Sequence, residues 1–233
     1  MLTPLLIAAV IGYVLGSLPF GYLVARAKGV NIFEVGSKNP GATNVRRVLG
    51  NGPGNLVLFL DALKGAVASA WTLLRFRDGA HASGSAEAGA TFLNVSMSAE
   101  AWSAMGIAGL VGALLGHSFS CFTKFKGGKG VATGAGGFLV LFPLGMVIAL
   151  TVFGVTLAVT RYVSLSSMLG AVALAVAAIV LKASTVLVGV TGAVALFVLL
   201  RHRTNISRLL AGTESKVGQN KSRPSTSPSA PKS

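Results

Sequence analysis

The segment KFKGGKG, residues 124–130, places three lysines among three glycines, with apolar stretches on both sides. Glycine offers backbone N–H groups that no Cβ shields, and lysine adds positive charge, so the pattern predicts a phosphate-binding loop. It is not a Walker A loop, because Gly128 and Lys129 are followed by Gly130 rather than Ser or Thr. We therefore expect an anion nest at 127–130 with Lys129 as its charge. The alternative is a basic loop that meets anionic lipid headgroups.

A second polar segment, GSKNPGATNVRRVLG at 36–50, concentrates small hydroxyl and amide side chains beside a pair of arginines. The planar guanidinium of arginine binds phosphate oxygens in a bidentate manner, and Ser, Thr and Asn add further donors. Adjacent residues on a helix point in different directions, so at most one of Arg46 and Arg47 should contact a ligand. The alternative is an ordinary turn whose arginines mark the inner side of a membrane.

A third polar segment, RHRTNISRLLAGTESKVG, occupies 201–218. His202 and Asn205 are three residues apart and share a face if this segment is helical. Glu214 is the only acidic residue after position 100. A single carboxylate among so many cations is either an ion-pair partner or a functional group, and the sequence leaves both open.

The elements that must position these segments are membrane helices. The chain is 52% hydrophobic and only 11% charged, against about 25% charged residues in soluble domains. Several apolar runs have the roughly 20 residues that a helix needs to cross the bilayer. We predict an all-α integral membrane protein, a polytopic helical bundle of seven transmembrane helices at 2–24, 55–74, 101–118, 132–142, 144–160, 163–181 and 183–200. The short helix at 132–142 is ended by Pro143, and counts of five or six crossings stay open.

The distribution of positive charge predicts the orientation. Sixteen of the 20 lysines and arginines fall in 25–53, in the glycine loop, at Arg161 or after residue 200. By the positive-inside rule these regions are cytoplasmic, the N-terminus and the loop 78–100 lie outside, and the C-terminus lies inside. The net charge of +14 then needs no nucleic acid to explain it. We divide the chain into a transmembrane domain, 1–212, and a segment 213–233 that ends the third motif and continues as a disordered basic tail.

Several kinds of chemistry are disfavoured by composition. Six acidic residues scattered over the chain do not provide the carboxylate cluster that Mg²⁺ sites need, so we expect neither a metal nor another cofactor. No histidine is followed five residues later by aspartate, which excludes the H-x4-D motif of acyl-CoA acyltransferases. Asp61 and Lys64 are predicted to pair with each other inside a helix. His117, at a helix end, is predicted to be an anchor or a helix cap.

Taken together, the three polar segments resemble the motifs of the bacterial acyl-phosphate:glycerol-3-phosphate acyltransferase (PlsY) family. The matching stretches are GSKNPGATNVRRVLG, GHSFSCFTKFKGGKGVAT and HRTNISRLLAGTE, in the family's order, with DALKG (61–65) and TRYVS (160–164) as further landmarks. The loop 78–100 is longer than is usual in the family, and Ser120 stands where proline is more common. Neither departure touches a residue expected to take part in chemistry.

The resemblance implies an enzyme of the bacterial cytoplasmic membrane that transfers a fatty acyl group from acyl phosphate to the sn-1 hydroxyl of glycerol 3-phosphate. It implies glycerol-3-phosphate contacts at Ser37, Thr43, Arg47, Lys129, His202 and Asn205, acyl-phosphate contacts at Gly127, Gly128 and Gly130, and catalytic roles for His202, Asn205 and Glu214. It also suggests functional coupling to the enzyme that makes acyl phosphate.

No Ser-His-Asp arrangement is apparent, so we expect direct transfer without an acyl-enzyme. The general base stays open among His202, Glu214 and a substrate phosphate oxygen. The alternative function is a membrane transporter of phosphate or another anion, although that would not explain three polar segments on one side.

Overall fold

The computed structural model describes residues 2–74, 91–92, 95–96 and 98–218. These residues form a helical bundle whose α-helices are α1 (Leu2–Ser17), α2 (Phe20–Arg26), α3 (Ala42–Leu49), α4 (Asn51–Ser69), α5 (Ala99–Ser118), α6 (Val131–Leu141), α7 (Pro143–Thr160), α8 (Val163–Val180), α9 (Thr185–Arg201) and α10 (Arg203–Leu210). Short 3₁₀ helices cover Ala70–Leu74 and Cys121–Thr123. The predicted helical fold is confirmed for the described part of the chain, except for one short antiparallel pairing of β1 (Thr91–Phe92) with β2 (Val95–Ser96).

The first apolar run is not one continuous helix, as predicted for 2–24. α1 ends at Ser17 and α2 begins at Phe20. Pro19 separates them because its ring fixes φ, removes an N–H and disfavours a helical conformation at Leu18. The break turns the chain toward the second polar segment.

Small residues allow α1 and α5 to pack with their backbones in contact. A Cβ added at Gly12 would lie 2.1 Å from the carbonyl oxygen of Gly109, and one at Gly16 would lie 2.1 Å from that of Ala113. On the other helix, a Cβ at Gly116 would lie 2.1 Å from the carbonyl oxygen of Tyr13. Close packing of small residues is the usual way in which helices associate where lipid, not water, surrounds them.

α6 packs in the same manner on α4, and this contact places the glycine loop. A Cβ at Gly65 would lie 1.9 Å from the carbonyl oxygen of Thr133, and one at Gly136 would lie 1.8 Å from that of Ala62. Because α6 starts immediately after the glycine loop, the contact holds that loop beside Asp61 and Lys64 of α4.

Four segments among the described residues are long and apolar enough to cross a membrane: Leu2–Arg26, Ala99–Thr123, Pro143–Thr160 and Val163–Val180. Thr185–Arg201 with Arg203–Leu210, bent by 58°, makes a fifth if the pair is one span. α4 is not among them, because the polar residues of its first turns, together with Asp61 and Lys64, lower its mean hydropathy, and α6 is too short at 11 residues. The multi-pass helical architecture is thus confirmed, and the count of seven stays a prediction.

Two predicted regions fall wholly or partly outside the described residues. The loop 78–100 is described only at 91–92, 95–96 and 98–100, and the tail after residue 218 is not described. Residues 213–218 lie against the bundle, where Val217 exchanges hydrogen bonds with Arg161 at the turn between α7 and α8. The division of the chain at 212/213 stays a prediction.

Candidate active site

The third polar segment and the glycine loop meet at Lys129 and Asn205. The Lys129 ammonium donates to the amide oxygen of Asn205 at the start of α10. The amide nitrogen of Asn205 donates to Glu214 Oε1 at 2.6 Å. Both ends of the amide are therefore occupied, and its orientation is fixed by a cation on one side and an anion on the other.

Glu214 is the centre of this network. Its Oε1 also accepts from the Ser164 hydroxyl at 2.8 Å, and its Oε2 accepts from Arg208 Nε at 2.7 Å. Burial alone would raise the pKa of the Glu214 carboxyl, but hydrogen bonds from Arg208, Asn205 and Ser164 outweigh it and leave the pKa below its usual value. Glu214 is thus a carboxylate at neutral pH whose oxygens are committed to protein donors. This geometry suits a positioning anion better than a general base.

Burial lowers the pKa of the Lys129 ammonium to about 8, with nearby Arg208, Arg201 and Arg47 adding to the effect and Glu214 opposing it. The three lysines of the glycine segment therefore differ. Lys124 and Lys126 are exposed to solvent, whereas Lys129 is directed toward the third segment. Only Lys129 among them is placed to act in a shared site.

His202 occupies the bend between α9 and α10 and is buried. Its Nδ1 lies 2.8 Å from the carbonyl oxygen of Val198. A carbonyl only accepts, so Nδ1 carries the proton and Nε2 is the basic nitrogen of the neutral ring. Burial and the nearby charge of Lys129 lower the pKa of the His202 imidazole to about 4, so the ring is neutral at physiological pH and Nε2 is only a weak base.

The second polar segment is held by Asn44, one of its small amide side chains. Its amide oxygen accepts from the Ser37 N–H at 2.8 Å, and its nitrogen donates to the carbonyl of Val35 at 3.1 Å. Arg47 Nη1 reaches the same amide oxygen at 3.4 Å. The hydroxyls of Ser37 and Thr43 are exposed and have no protein partner within the described chain.

The two arginines of this segment point apart, as predicted. Arg46 Nη2 donates to the side-chain oxygen of Asn55 on α4. Partial burial lowers the pKa of Arg47. The negative charge of Glu214 opposes this lowering, and the positive charge of Arg208 adds to it. Arg47 is therefore the arginine that faces the third segment.

The glycine loop differs from the predicted nest at Gly128. The Gly128 N–H donates to the His117 carbonyl at 3.0 Å and is not free for an anion. Its φ is not positive either, whereas Gly130, at φ +79°, adopts the left-handed conformation that favours glycine. Across residues 98–218, the N–H groups of Gly127, Lys129 and Gly130 have no partner. Gly128 thus serves packing, and its neighbours keep the free donors.

The pairing predicted for Asp61 and Lys64 is confirmed, at 2.8 Å between Lys64 Nζ and Asp61 Oδ1 in the interior. His117 is part of the same cluster, with Nδ1 3.5 Å from Asp61 Oδ1, rather than an isolated anchor. Lys64 also donates to the carbonyl of Leu18 at 3.0 Å, where the break between α1 and α2 exposes it. The cluster thus joins the break between α1 and α2 to α4 and α5 beside the glycine loop.

Of the residues predicted for the site, Lys129, His202, Asn205, Glu214 and Arg47 converge on one region, with the glycine loop directly beside it. Ser164, Arg208 and Arg201 also belong to this region and were not predicted. Ser164 lies in TRYVS, which was noted only as a landmark. Its hydrogen bond to Glu214 joins residues 50 positions apart in the sequence, and no local sequence pattern predicts such a contact.

Three comparisons bear on the family. Residues 6–212 match the family model described as glycerol-3-phosphate acyltransferase. A relative of that name from Trichormus variabilis is 44% identical over 218 residues, covering 90% of each chain. Another from Geobacter sulfurreducens is 41% identical, covering 93% of this chain and 98% of the relative.

A solved structure shares the fold. The crystal structure of PlsY, an integral membrane glycerol 3-phosphate acyltransferase in its glycerol 3-phosphate form, superposes with a TM-score of 0.77 at 31% identity. The superposition covers 92% of this chain and 96% of the PlsY chain. The predicted family is confirmed, and the chain belongs to the glycerol-3-phosphate acyltransferase family.

Proposed function

We propose that this protein transfers a fatty acyl group from acyl phosphate to the sn-1 hydroxyl of glycerol 3-phosphate, giving 1-acylglycerol 3-phosphate and phosphate. The observation that carries the proposal is the meeting of Lys129, Asn205 and Glu214 beside Arg47. Related structures have been solved in a glycerol 3-phosphate form and in a lysophosphatidic acid form. These are the acceptor and the product of the proposed reaction.

The chemistry suits a site rich in cations and N–H groups. Acyl phosphate is a mixed anhydride, so phosphate leaves without a strong acid to protonate it. The acceptor hydroxyl attacks the acyl carbon, the new ester C–O bond forms as the C–O bond to phosphate breaks, and the hydroxyl proton passes to a base. The protein must hold the two substrates together and stabilise the developing oxyanion.

We propose the following roles for the site residues. Arg47 and Lys129 bind the phosphate of glycerol 3-phosphate, with Ser37 and Thr43 as exposed hydroxyl donors, and Asn205 holds the Lys129 ammonium in place. The free N–H groups around the glycine loop bind the phosphate of acyl phosphate.

A phosphate oxygen of a substrate is the better supported candidate for the general base. His202 stays a second candidate, because its Nε2 is the basic nitrogen of the ring, but its pKa is lowered to about 4, which makes it a weak proton acceptor at neutral pH. Glu214, with its carboxylate held by three protein donors, positions Asn205 instead.

We propose further that the chain crosses the bacterial cytoplasmic membrane seven times, with α4 and α6 completing the bundle. The N-terminus and the loop 78–100 then lie outside, and the site and the C-terminus lie in the cytoplasm. The support is the positive-inside distribution of charge. A cytoplasmic site would take acyl phosphate directly from the enzyme that makes it.

The test is an assay of the purified protein with acyl phosphate and glycerol 3-phosphate. We expect phosphate release and 1-acylglycerol 3-phosphate in equal amounts, unchanged by EDTA, and no product with acyl-CoA as donor. Activity that chelation abolishes and Mg²⁺ restores would contradict the metal-free account. The transporter alternative predicts glycerol 3-phosphate or phosphate exchange across proteoliposomes and no acylated product.

A further inference from the structure

Arg201 lies against the glycine loop without being part of any predicted contact. Its Nη2 donates to the carbonyl oxygen of Gly128 at 2.8 Å and to that of Gly127 at 3.3 Å. Its guanidinium carbon lies 5.2 Å from the centre of the Phe119 ring. The guanidinium is therefore fixed by the ring as well as by the two carbonyls.

A planar trans peptide points its C=O and its N–H in opposite directions. Because Arg201 holds the Gly127 carbonyl, the Gly128 N–H of the same peptide faces away from Arg201, where it meets the His117 carbonyl at 3.0 Å. That peptide is thus held from both sides. Because Arg201 also holds the Gly128 carbonyl, the Lys129 N–H must face away from Arg201, and among the described residues it has no partner.

Carbonyl oxygens carry partial negative charge and repel a phosphate, whereas N–H groups attract it. A glycine-rich loop is free to turn its peptides either way, and Arg201 removes that freedom by taking up both carbonyls. We propose that Arg201 is a positioning residue for acyl phosphate: it orients two peptide planes so that the Lys129 N–H is presented to the donor phosphate. This inference rests on the proposed function.

The variant Arg201→Lys tests whether Arg201 acts through its planar donor group or only through its positive charge. Arg201→Lys keeps the positive charge but has neither the planar donor group nor its fit on Phe119. We expect a rise of about tenfold or more in KM for acyl phosphate, weaker product inhibition by inorganic phosphate, and a change of less than about threefold in KM for glycerol 3-phosphate. The melting temperature in detergent should shift little.

The matched control is Arg203→Lys, two residues along the chain and exposed; we expect it to leave both KM values unchanged. Wild-type KM for acyl phosphate in Arg201→Lys would overturn the inference, and so would an equal rise in both KM values. Should that variant fail to accumulate, Phe119→Leu removes only the ring beneath the guanidinium. It should raise the acyl-phosphate KM selectively by a few-fold, and an unchanged KM there would equally count against the role. An inactive wild type with acyl phosphate would instead reject the proposed function.

Discussion

Lys129 and Asn205 lie 76 residues apart in the sequence, yet the Lys129 ammonium donates directly to the Asn205 side-chain oxygen. The same asparagine donates its N–H to Glu214, so a neutral amide separates a cation from an anion. If Lys129 instead paired directly with Glu214, its charge would be neutralised. Interposing Asn205 orients the ammonium and leaves more of its positive charge for a substrate phosphate.

The first prediction exchanges the amide and the carboxylate between positions 205 and 214. Asn205→Asp places a second carboxylate where the amide nitrogen now lies 2.6 Å from Glu214 Oε1. We expect kcat/KM for glycerol 3-phosphate to fall by about 10²-fold or more, as when a preorganised contact is lost. Adding Glu214→Gln supplies an amide that can donate to Asp at position 205, so the double variant should recover part of the loss. A double variant with a lower kcat/KM than Asn205→Asp alone would contradict the donation from the Asn205 amide to Glu214.

The second prediction separates the two arginines of the second segment. Arg47→Ala should lower kcat/KM for glycerol 3-phosphate by about 10²-fold, or about 3 kcal/mol, because it removes a charged phosphate donor. Within the described part of the chain, Arg46→Ala removes one side-chain hydrogen bond, that with Asn55, and should stay within about threefold of wild type. The two variants are each other's control for charge and for expression. Equal losses in both would show that the segment acts through its total charge.

The helices and the three site segments could be predicted from the sequence, because hydropathy and charge are local properties. The different directions of the Arg46 and Arg47 side chains were also predictable, since adjacent residues on a helix point apart. The break at Pro19 was foreseeable from the same rules but was hidden in a long apolar run.

What the sequence could not provide is the set of contacts between segments. Ser164 was only part of a landmark, and Arg201 was one cation among many. Both acquire roles from the partner that the fold brings to them: Glu214 for Ser164, and two loop carbonyls for Arg201. The position of Gly128 in the loop is predictable from the sequence, but the hydrogen bond of its N–H to the His117 carbonyl is not, because that contact depends on how α5 and the loop pack.

The third prediction concerns Gly128→Ala, which should remain severe for a different reason from the one the sequence suggested. The added Cβ would lie 2.1 Å from Nε2 of His117, so the ring or the loop must move. A displacement near 1 Å at a substrate contact can cost about 10²-fold in activity. Gly154→Ala, with nothing within 4 Å of its added Cβ, is the matched control and should be silent.

Combining Gly128→Ala with His117→Ala tests this cause. Removing the ring makes room for the methyl group, so the double variant should be more active than Gly128→Ala alone. No recovery would indicate that the methyl group obstructs phosphate itself.

The fourth prediction tests the orientation with the chain's single cysteine. Cys121 is exposed and lies just before the glycine loop. A membrane-impermeant maleimide should label Cys121 in inside-out vesicles and not in intact cells. Ser85→Cys in a Cys121→Ser background should show the reverse. Labelling of Cys121 in intact cells would place the loop outside and contradict a cytoplasmic site.

The last prediction is a pH dependence set by Lys129. Because its pKa is lowered to about 8, the free enzyme loses the ammonium as pH rises through that value. We expect kcat/KM for glycerol 3-phosphate, which reports ionisations of free enzyme and free substrate, to fall above pH 8. It should also fall below about pH 6, where the phosphate monoester takes up a proton.

Arginine at the same position separates Lys129 from other groups. A guanidinium keeps its proton throughout this range, so Lys129→Arg should abolish the alkaline decline while leaving the acid limb in place. It should also retain more activity than Lys129→Ala, which loses the charge entirely. Rates are measured with spontaneous hydrolysis of acyl phosphate subtracted at each pH. An alkaline decline that persists unchanged in Lys129→Arg would assign it to another group, and the Lys129 ammonium would then not be the titrating contact for the acceptor phosphate.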